Sequence, residues 1–383
     1  MGGAQADGQN LGCRGECAYG RNEALGGAVM IKSIHVKNFK TLRDVTIPLA
    51  PKITVMVGAN NSGKSNALAV LKLIGETFRR NSYPEALKAM GGAWAIRSRP
   101  GTQDPAVAIS SEFSPGDEVT VTLGWQEPIE EGQSSITMSA FHHGSILALA
   151  KDRKRNEADW NSFRPALARY LSGISVFDFS VAAVRAPSMV QQNVKLGTDG
   201  QNSAAALDAL AGDQPNLRDA IEAEVKAALP DVKRLLTRPG PQTGTKVLGV
   251  EEKSGEVFGA DALSDGLVLF IGMSIAAQLT SSEGGLIAIE EPERGVHPRR
   301  LREILDQLLR IAQRGRQVVL TTHSPTLLDE FRDYPESVLI FDRDENGTHV
   351  TRLSDKPEWI ESLKEGPLGD IWYSGILGGV PKP

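Results

Sequence analysis

The segment Gly58-Ala-Asn-Asn-Ser-Gly-Lys-Ser65 constrains this chain more than any other feature. Its spacing is that of a phosphate-binding loop, a motif that carries weight only between a buried strand and a helix. Both flanks are present. Residues 53–57 form a β-branched apolar run, and in residues 66–80 Leu68, Leu71, Ile74 and Phe78 recur at helical spacing. In that setting Gly58, Asn60, Asn61, Ser62 and Gly63 are expected to turn backbone N–H groups toward phosphate, with Ser65 and Asn66 opening a helix whose dipole favours the anion. Lys64 is placed to reach the β- and γ-phosphates, and the Ser65 hydroxyl to ligate Mg²⁺. The expected ligand is a nucleoside triphosphate.

The remaining chain must supply the sheet around that loop. Residues 1–29 are rich in Gly, Ala and polar side chains without periodicity, and are expected to be a disordered extension, with folding from Met30. Residues 30–95 read as an N-terminal lobe carrying the loop. Residues 96–260 read as an insertion. It opens with short alternating strands at 106–113, 119–125 and 135–141, then turns to broken helices within 145–172 and 203–237. A hairpin turns at Lys253-Ser254-Gly255. Residues 261–383 return to alternating helices and strands, ending in a hairpin at Asn346-Gly347. This order predicts an α/β fold with a mainly parallel sheet, an antiparallel β subdomain and a helical insertion. The ligand belongs at the strand C-terminal ends.

Charge and cysteine usage exclude several classes. A net charge of −5 gives no overall nucleic-acid footprint, leaving two local basic clusters, residues 151–155 and 299–302. Either also reads as a solvated helix face. Cys13 and Cys17 have no histidine nearby and cannot close a structural zinc site, so free thiols in a reducing cytoplasm are expected. The longest apolar stretch, residues 262–279, is interrupted by Ser264, Asp265 and Gly266, which fits a buried helix better than a membrane span.

Three further elements carry chemistry. Leu286-Ile-Ala-Ile289 is a buried-strand run ending in Glu290, Glu291 and Pro292. A carboxylate at such a strand tip can hold Mg²⁺, and one a residue further can polarise water as general base. A solvated charge cluster at a helix start is the alternative. His323 stands beyond another apolar run, in Val318-Val-Leu-Thr-Thr-His-Ser-Pro325, where an imidazole can hydrogen-bond a γ-phosphate; helix capping or packing is the alternative. Leu263-Ser-Asp-Gly266 taken alone is a helix cap.

The order of these elements resembles ABC-type ATPase heads of the SMC and RecF kind. It is closer still to stand-alone prokaryotic AAA-family ATPases related to OLD-family proteins. The similarity also takes in Ile31-Lys-Ser-Ile-His-Val-Lys-Asn-Phe-Lys40, Ile289-Glu-Glu-Pro-Glu-Arg-Gly-Val-His-Pro298 and Leu368-Gly-Asp-Ile-Trp372. The resemblance implies a P-loop NTPase head that binds ATP with Mg²⁺, two protomers sandwiching two nucleotides. Ser264 and Gly266 of one subunit would meet the γ-phosphate held by the other's Lys64. Glu290 would take the metal side, Glu291 would activate water, and residues 293–297 would cross the dimer interface. Two departures stand out: Glu290 replaces the commoner Asp, and Leu267-Val268 follow Gly266 where relatives often carry a polar or basic residue. Gln126 is a candidate for the lid glutamine, with an exposed turn residue as the other reading.

OLD-family nucleases carry a further metal-dependent nuclease domain. Here Asp342-Arg-Asp344 has reminiscent carboxylate spacing but reads as turn residues, so no nuclease is expected within this chain. The expectation is an ATPase that dimerises on ATP, or forms a higher oligomer, and signals to double-stranded DNA or an effector such as a nuclease. DNA repair and phage defence are the settings the relatives suggest. The alternative is an ATP-binding scaffold that restrains a partner with little turnover. A nucleotide kinase would have no use for residues 263–266 or His323.

Overall fold

In the computed structural model the described residues are 29–380, apart from 99–104, 113–117, 127–134, 137–140, 143–144, 147–148, 151–156, 192–194, 281–284 and 299–300. The phosphate-loop strand, Ile53–Gly58, is buried at every position, as a strand covered on both faces must be. It pairs in parallel with Gln317–Thr322 on one side and Val338–Asp344 on the other. Beyond Gln317–Thr322 the sheet continues in parallel through Leu286–Glu290 and Ser175–Phe177. The opposite edge is the antiparallel Gly347–Arg352. In register, Glu290 faces Thr321 and Thr322 faces Val57. The phosphate loop, the carboxylate pair and the histidine therefore leave neighbouring strands at one end of the sheet, where open α/β sheets bind ligands.

Side-chain alternation along these strands builds two cores. Val55, Val57, Ile287, Ile289, Val318 and Leu320 face Phe270, Ile275, Ile304 and Leu308. Met56, Leu286, Ala288, Val319 and Leu339 face the other way, onto Leu68, Leu71 and Ile74 of the helix Lys64–Arg80. That second core is closed by an antiparallel sheet of Met30–Phe39, Leu42–Pro48, Ala106–Glu112 and Glu118–Gln126, which contributes Ile34, Val36 and Val107. The period of two along each strand thus serves both layers at once.

Gln317 pins the two sheets together. Its Oε1 accepts from the Ile31 backbone N–H at 2.7 Å and from the Tyr170 hydroxyl, while Nε2 donates to Ile31 O at 2.8 Å and Ala50 O at 3.0 Å. All four hydrogen-bonding capacities of the amide are used at a position only 3% exposed.

The helix Asp265–Leu279 is buried from Val268 through Gln278, which explains its lack of a polar stripe. Among the described residues no helix is long and apolar enough to cross a membrane. A third sheet, Val232–Pro239 with Thr245–Glu252 and Val257–Gly259, is antiparallel.

Three sequence expectations are corrected. The helix expected over residues 145–172 begins only at Glu157. Ser145–Ile146 and Leu149–Ala150 instead form short strands, the latter pairing with Val119 and Thr120, so sheet pairing prevails there. The helical reading of residues 203–237 holds for Ser203–Asp213 and Pro215–Ala228. Val232–Pro239 is a strand, since Pro230 interrupts the helix and the neighbouring strand offers a full ladder of backbone partners. Val29, assigned to the extension, is 7% exposed and packs with Ile31 and Ile34. The rest of that extension, Cys13, Cys17, residues 151–155 and the start of the 299–302 cluster lie outside the described residues.

Candidate nucleotide site

The phosphate loop is braced from both hairpins. Gly63 takes a φ of 115°, and a Cβ there would stand 2.3 Å from Thr348 Oγ1, so glycine is required on both counts. Thr348 Oγ1 lies 2.8 Å from Ser62 O and 2.8 Å from Thr41 Oγ1, and Asn66 Nδ2 donates to the same Thr41 hydroxyl at 2.8 Å. Neither threonine stood out in the sequence. Position 348 follows the glycine that turns the last hairpin, and position 41 follows the Asn-Phe-Lys turn. The Asn346-Gly347 turn was visible, but the meeting of positions 41 and 348 at the loop was not.

A cleft of about 250 Å³ opens over this loop, lined by Asn60, Asn61, Lys64, Ser65, Glu291 and His323 among others. Lys64 is 5% exposed and its Nζ donates to Gly58 O at 2.7 Å and Ala59 O at 2.9 Å. Burial lowers its pKa to about 8, against the opposing pull of the Glu291, Glu290 and Glu293 charges. The Ser65 hydroxyl donates to Glu290 Oε1. These are two hard oxygen donors at the mouth of a phosphate loop, a donor set that fits Mg²⁺. Gly58 and Ser62 lie beneath the cleft: a Cβ on Gly58 would meet Phe341 O at 2.2 Å, and Ser62 is 2% exposed.

Glu291 and His323 converge. His323 Nε2 lies 3.4 Å from Glu291 Oε1. Burial, with the Lys64 charge, lowers the histidine's pKa below 6.5, so the imidazole is neutral at neutral pH. The Glu291 backbone has φ +42°, held by its N–H at 3.1 Å from Thr321 O. This left-handed turn aims consecutive carboxylates differently, one to Ser65 and the other to His323. Glu291 Oε2 accepts from Arg294 Nε at 3.2 Å and Nη2 at 3.1 Å, and Arg294 Nη1 donates to Asp178 at 2.9 Å. Glu293 Oε1 accepts from the Thr322 hydroxyl at 2.6 Å and the His323 N–H at 3.2 Å. Burial nonetheless raises the Glu293 carboxyl above the usual range. The contacts of Arg294, Asp178 and Glu293 were not anticipated. Glu293 and Arg294 sat in the matching text, while Asp178, at the end of a short edge strand, carried no signal.

Ser264 and Gly266 do not line this cleft. Ser264 caps the Asp265–Leu279 helix by accepting from Leu267 N at 3.4 Å, the local role its residue type suggests. Gly266 lies against Val296, with its ideal Cβ 3.7 Å from that residue's Cα. One guanidinium holds the approach to this helix: Arg185 donates to Ala260 O at 3.0 Å and Leu263 O at 2.6 Å, and pairs with Asp265 at 2.8 Å. At the terminal hairpin Asp344 pairs with His349 at 2.9 Å and caps the turn at Asn346 N. Among the described residues no group of three or more His, Cys, Asp or Glu is arranged to hold a metal ion. Gln126 ends the strand Glu118–Gln126.

The lysine makes ATP affinity pH-dependent. A triphosphate favours charged Lys64, so binding above the pKa of the free site takes up a proton. Affinity is expected to be level below pH 8, then to fall by up to about tenfold per unit above it. For folding the sign is the reverse of a salt-bridged lysine. The lowered pKa makes this group destabilising below pH 8, a penalty relieved as pH rises toward 10.5. Calorimetric titration near pH 8.5 in two buffers of different ionisation enthalpy measures the proton directly. Equal apparent heats in both would contradict the assignment.

Residues 53–329 match the family described as "AAA domain, putative AbiEii toxin, Type IV TA system". An OLD nuclease of Thermus scotoductus is 25% identical over 358 residues, covering 82% of this chain. The chain spans 63% of that relative's length. Among solved structures, an SMC head bound to the C-terminal winged-helix domain of ScpA aligns with a TM-score of 0.51 at 16% identity. It covers 84% of this chain and 97% of the head, which establishes a shared fold.

Proposed function

The chain belongs to this AAA-domain family of P-loop ATPases, and from that premise we propose that it hydrolyses ATP in an ATP-gated dimer coupled to DNA or an effector protein. The observation that carries the reading is the convergence of Lys64, Glu291 and His323 on one cleft beside the Ser65–Glu290 pair. Lys64 exchanges the carbonyls of Gly58 and Ala59 for phosphate oxygens. Ser65 and Glu290 would hold Mg²⁺, which would offset phosphate charge. Glu291 accepts a proton from water as that oxygen bonds to the γ-phosphorus and the bond to the β–γ bridging oxygen breaks, giving ADP and phosphate. Neutral His323 donates to the γ-phosphoryl group.

The position of the helix start outside the protomer's own cleft, with Ser264 exposed and Gly266 half-buried, supports their use by a second copy. The turn 293–297, packed on that helix start, would then lie at the interface. The Glu291–Arg294–Asp178 chain favours low turnover in a lone protomer, because one oxygen of the base is occupied. It is also the observation that best suits the scaffold reading, in which ATP binding alone signals to a partner. The relative named as a nuclease motivates an effector of that chemistry.

Turnover with Mg²⁺, and its loss in Lys64→Ala together with roughly 10²-fold weaker ATP binding, is the direct test. Light scattering with and without ATP follows the dimer. Wild-type protein that binds ATP, shows no turnover with or without double-stranded DNA, and stays monomeric would sink the proposal.

A further inference from the structure

Glu293 follows Pro292 in the turn leaving the strand Leu286–Glu290, and the chemistry above does not use it. It is nevertheless the acceptor for the tip of the neighbouring strand. Its Oε1 takes hydrogen bonds from the Thr322 hydroxyl at 2.6 Å and the His323 backbone N–H at 3.2 Å. Thr322 Oγ1 in turn accepts from Ser324 N at 2.9 Å, and Ser324 caps the next helix through Leu327 N at 3.2 Å. One carboxylate oxygen thereby organises the strand's last residue and the two that follow it, 323 and 324, which lie beyond the ladder that ends at Thr322 opposite Val57. Two donors on one acceptor oxygen, from a side chain and from the next backbone N–H, fix the direction in which the chain leaves the strand. Two residues on, a Cβ at Gly295 would stand 3.5 Å from Asp265 Cβ, so the same turn rests on the helix that Ser264 caps.

We infer that Glu293 is a positioning residue for ATP hydrolysis, fixing the His323 imidazole beside Glu291 and tying that placement to the turn that rests on the Asp265–Leu279 helix. The inference rests on the proposed role of His323 at the γ-phosphate. Glu293 has no contact with substrate in this assignment and acts through the histidine. A displacement of about 1 Å at a reacting group costs on the order of 10²-fold in rate, so loss of this tether is felt in turnover before binding.

The test measures kcat, affinity for a non-hydrolysable ATP analogue and melting temperature for Glu293→Ala, Glu293→Gln, His323→Ala and the Glu293→Ala/His323→Ala double variant. Glu293→Ala is expected to lower kcat roughly 10- to 100-fold with analogue affinity within about twofold. Glu293→Gln keeps an Oε1 acceptor and should recover most of that loss. The double variant should be no slower than His323→Ala, because the tether has nothing left to position. Should Glu293→Ala fail to fold, Thr322→Val, which removes one of the two donors and the Ser324 acceptor, enters the same comparison with His323→Ala. Undiminished turnover in Glu293→Ala, or losses that multiply with His323→Ala, would overturn the inference while leaving the ATPase reading intact. Parallel loss of analogue binding and kcat would overturn it as a structural effect. Full turnover in His323→Ala would remove the role of His323 at the γ-phosphate and with it the inference, while leaving the ATPase reading intact.

Discussion

Glu291→Gln should lower ATP turnover by at least about 10²-fold while leaving ATP bound and the ATP-dependent dimer in place. The amide keeps the side chain's size and an acceptor oxygen toward Arg294, with its NH2 group on the His323 side, but it cannot take a proton from water. The phosphate loop, Lys64 and the Ser65–Glu290 pair are untouched, so binding should survive. Because opening depends on hydrolysis, the variant should accumulate as a closed dimer where wild-type protein cycles. Rapid quench at saturating ATP, alongside light scattering, reads both quantities. Unchanged turnover would remove Glu291 as the base; lost turnover with lost ATP binding would make it a structural residue instead. Arg294→Ala makes no such prediction, since freeing the carboxylate in a lone protomer and disturbing the turn 293–297 act in opposite directions.

Gln317→Leu should cost about 3–5 kcal/mol of stability, large for a single substitution. Leucine fills a similar volume but leaves the Ile31 N–H and C=O, the Ala50 carbonyl and the Tyr170 hydroxyl facing a site that water does not reach. Each orphaned buried polar group costs about 1–3 kcal/mol, partly relieved by relaxation. Tyr170→Phe removes only one member of the network and serves as the control, at about 1 kcal/mol. Denaturant melts monitored by circular dichroism measure both. A Gln317→Leu protein within about 1 kcal/mol of wild type would show that the two sheets are held by apolar packing alone.

The elements that touch phosphate were legible because each is short and its requirement local. A G-x-x-x-x-G-K-S run between an apolar run and a helical stripe admits few alternatives, and paired carboxylates after Leu286-Ile-Ala-Ile289 place themselves at a strand tip. The residues that organise those elements were not legible. Thr41, Thr348, Asp178 and Gln317 act through partners tens to hundreds of positions away, and nothing in their own neighbourhoods sets them apart. Glu293 shows the boundary best. Its position in the turn was readable, but its hydrogen bond to His323 follows from the sheet register that puts Glu290 opposite Thr321. The misread helix over residues 232–237 failed for a related reason, since a strand's ladder partner lies outside any local window.

The two threonines that brace the phosphate loop also set when the site can exist during synthesis. Residues 58–65 leave the ribosome early, and the helix behind them can form at once. The loop's final support, Thr348 on Ser62 O, comes from the last hairpin, after nearly the whole sheet has been made. A nascent chain therefore carries the complete motif long before it carries a braced loop. ATP meets a finished site only once residue 348 has been translated, so nucleotide capture reports that folding has reached the hairpin of Val338–Asp344 and Gly347–Arg352.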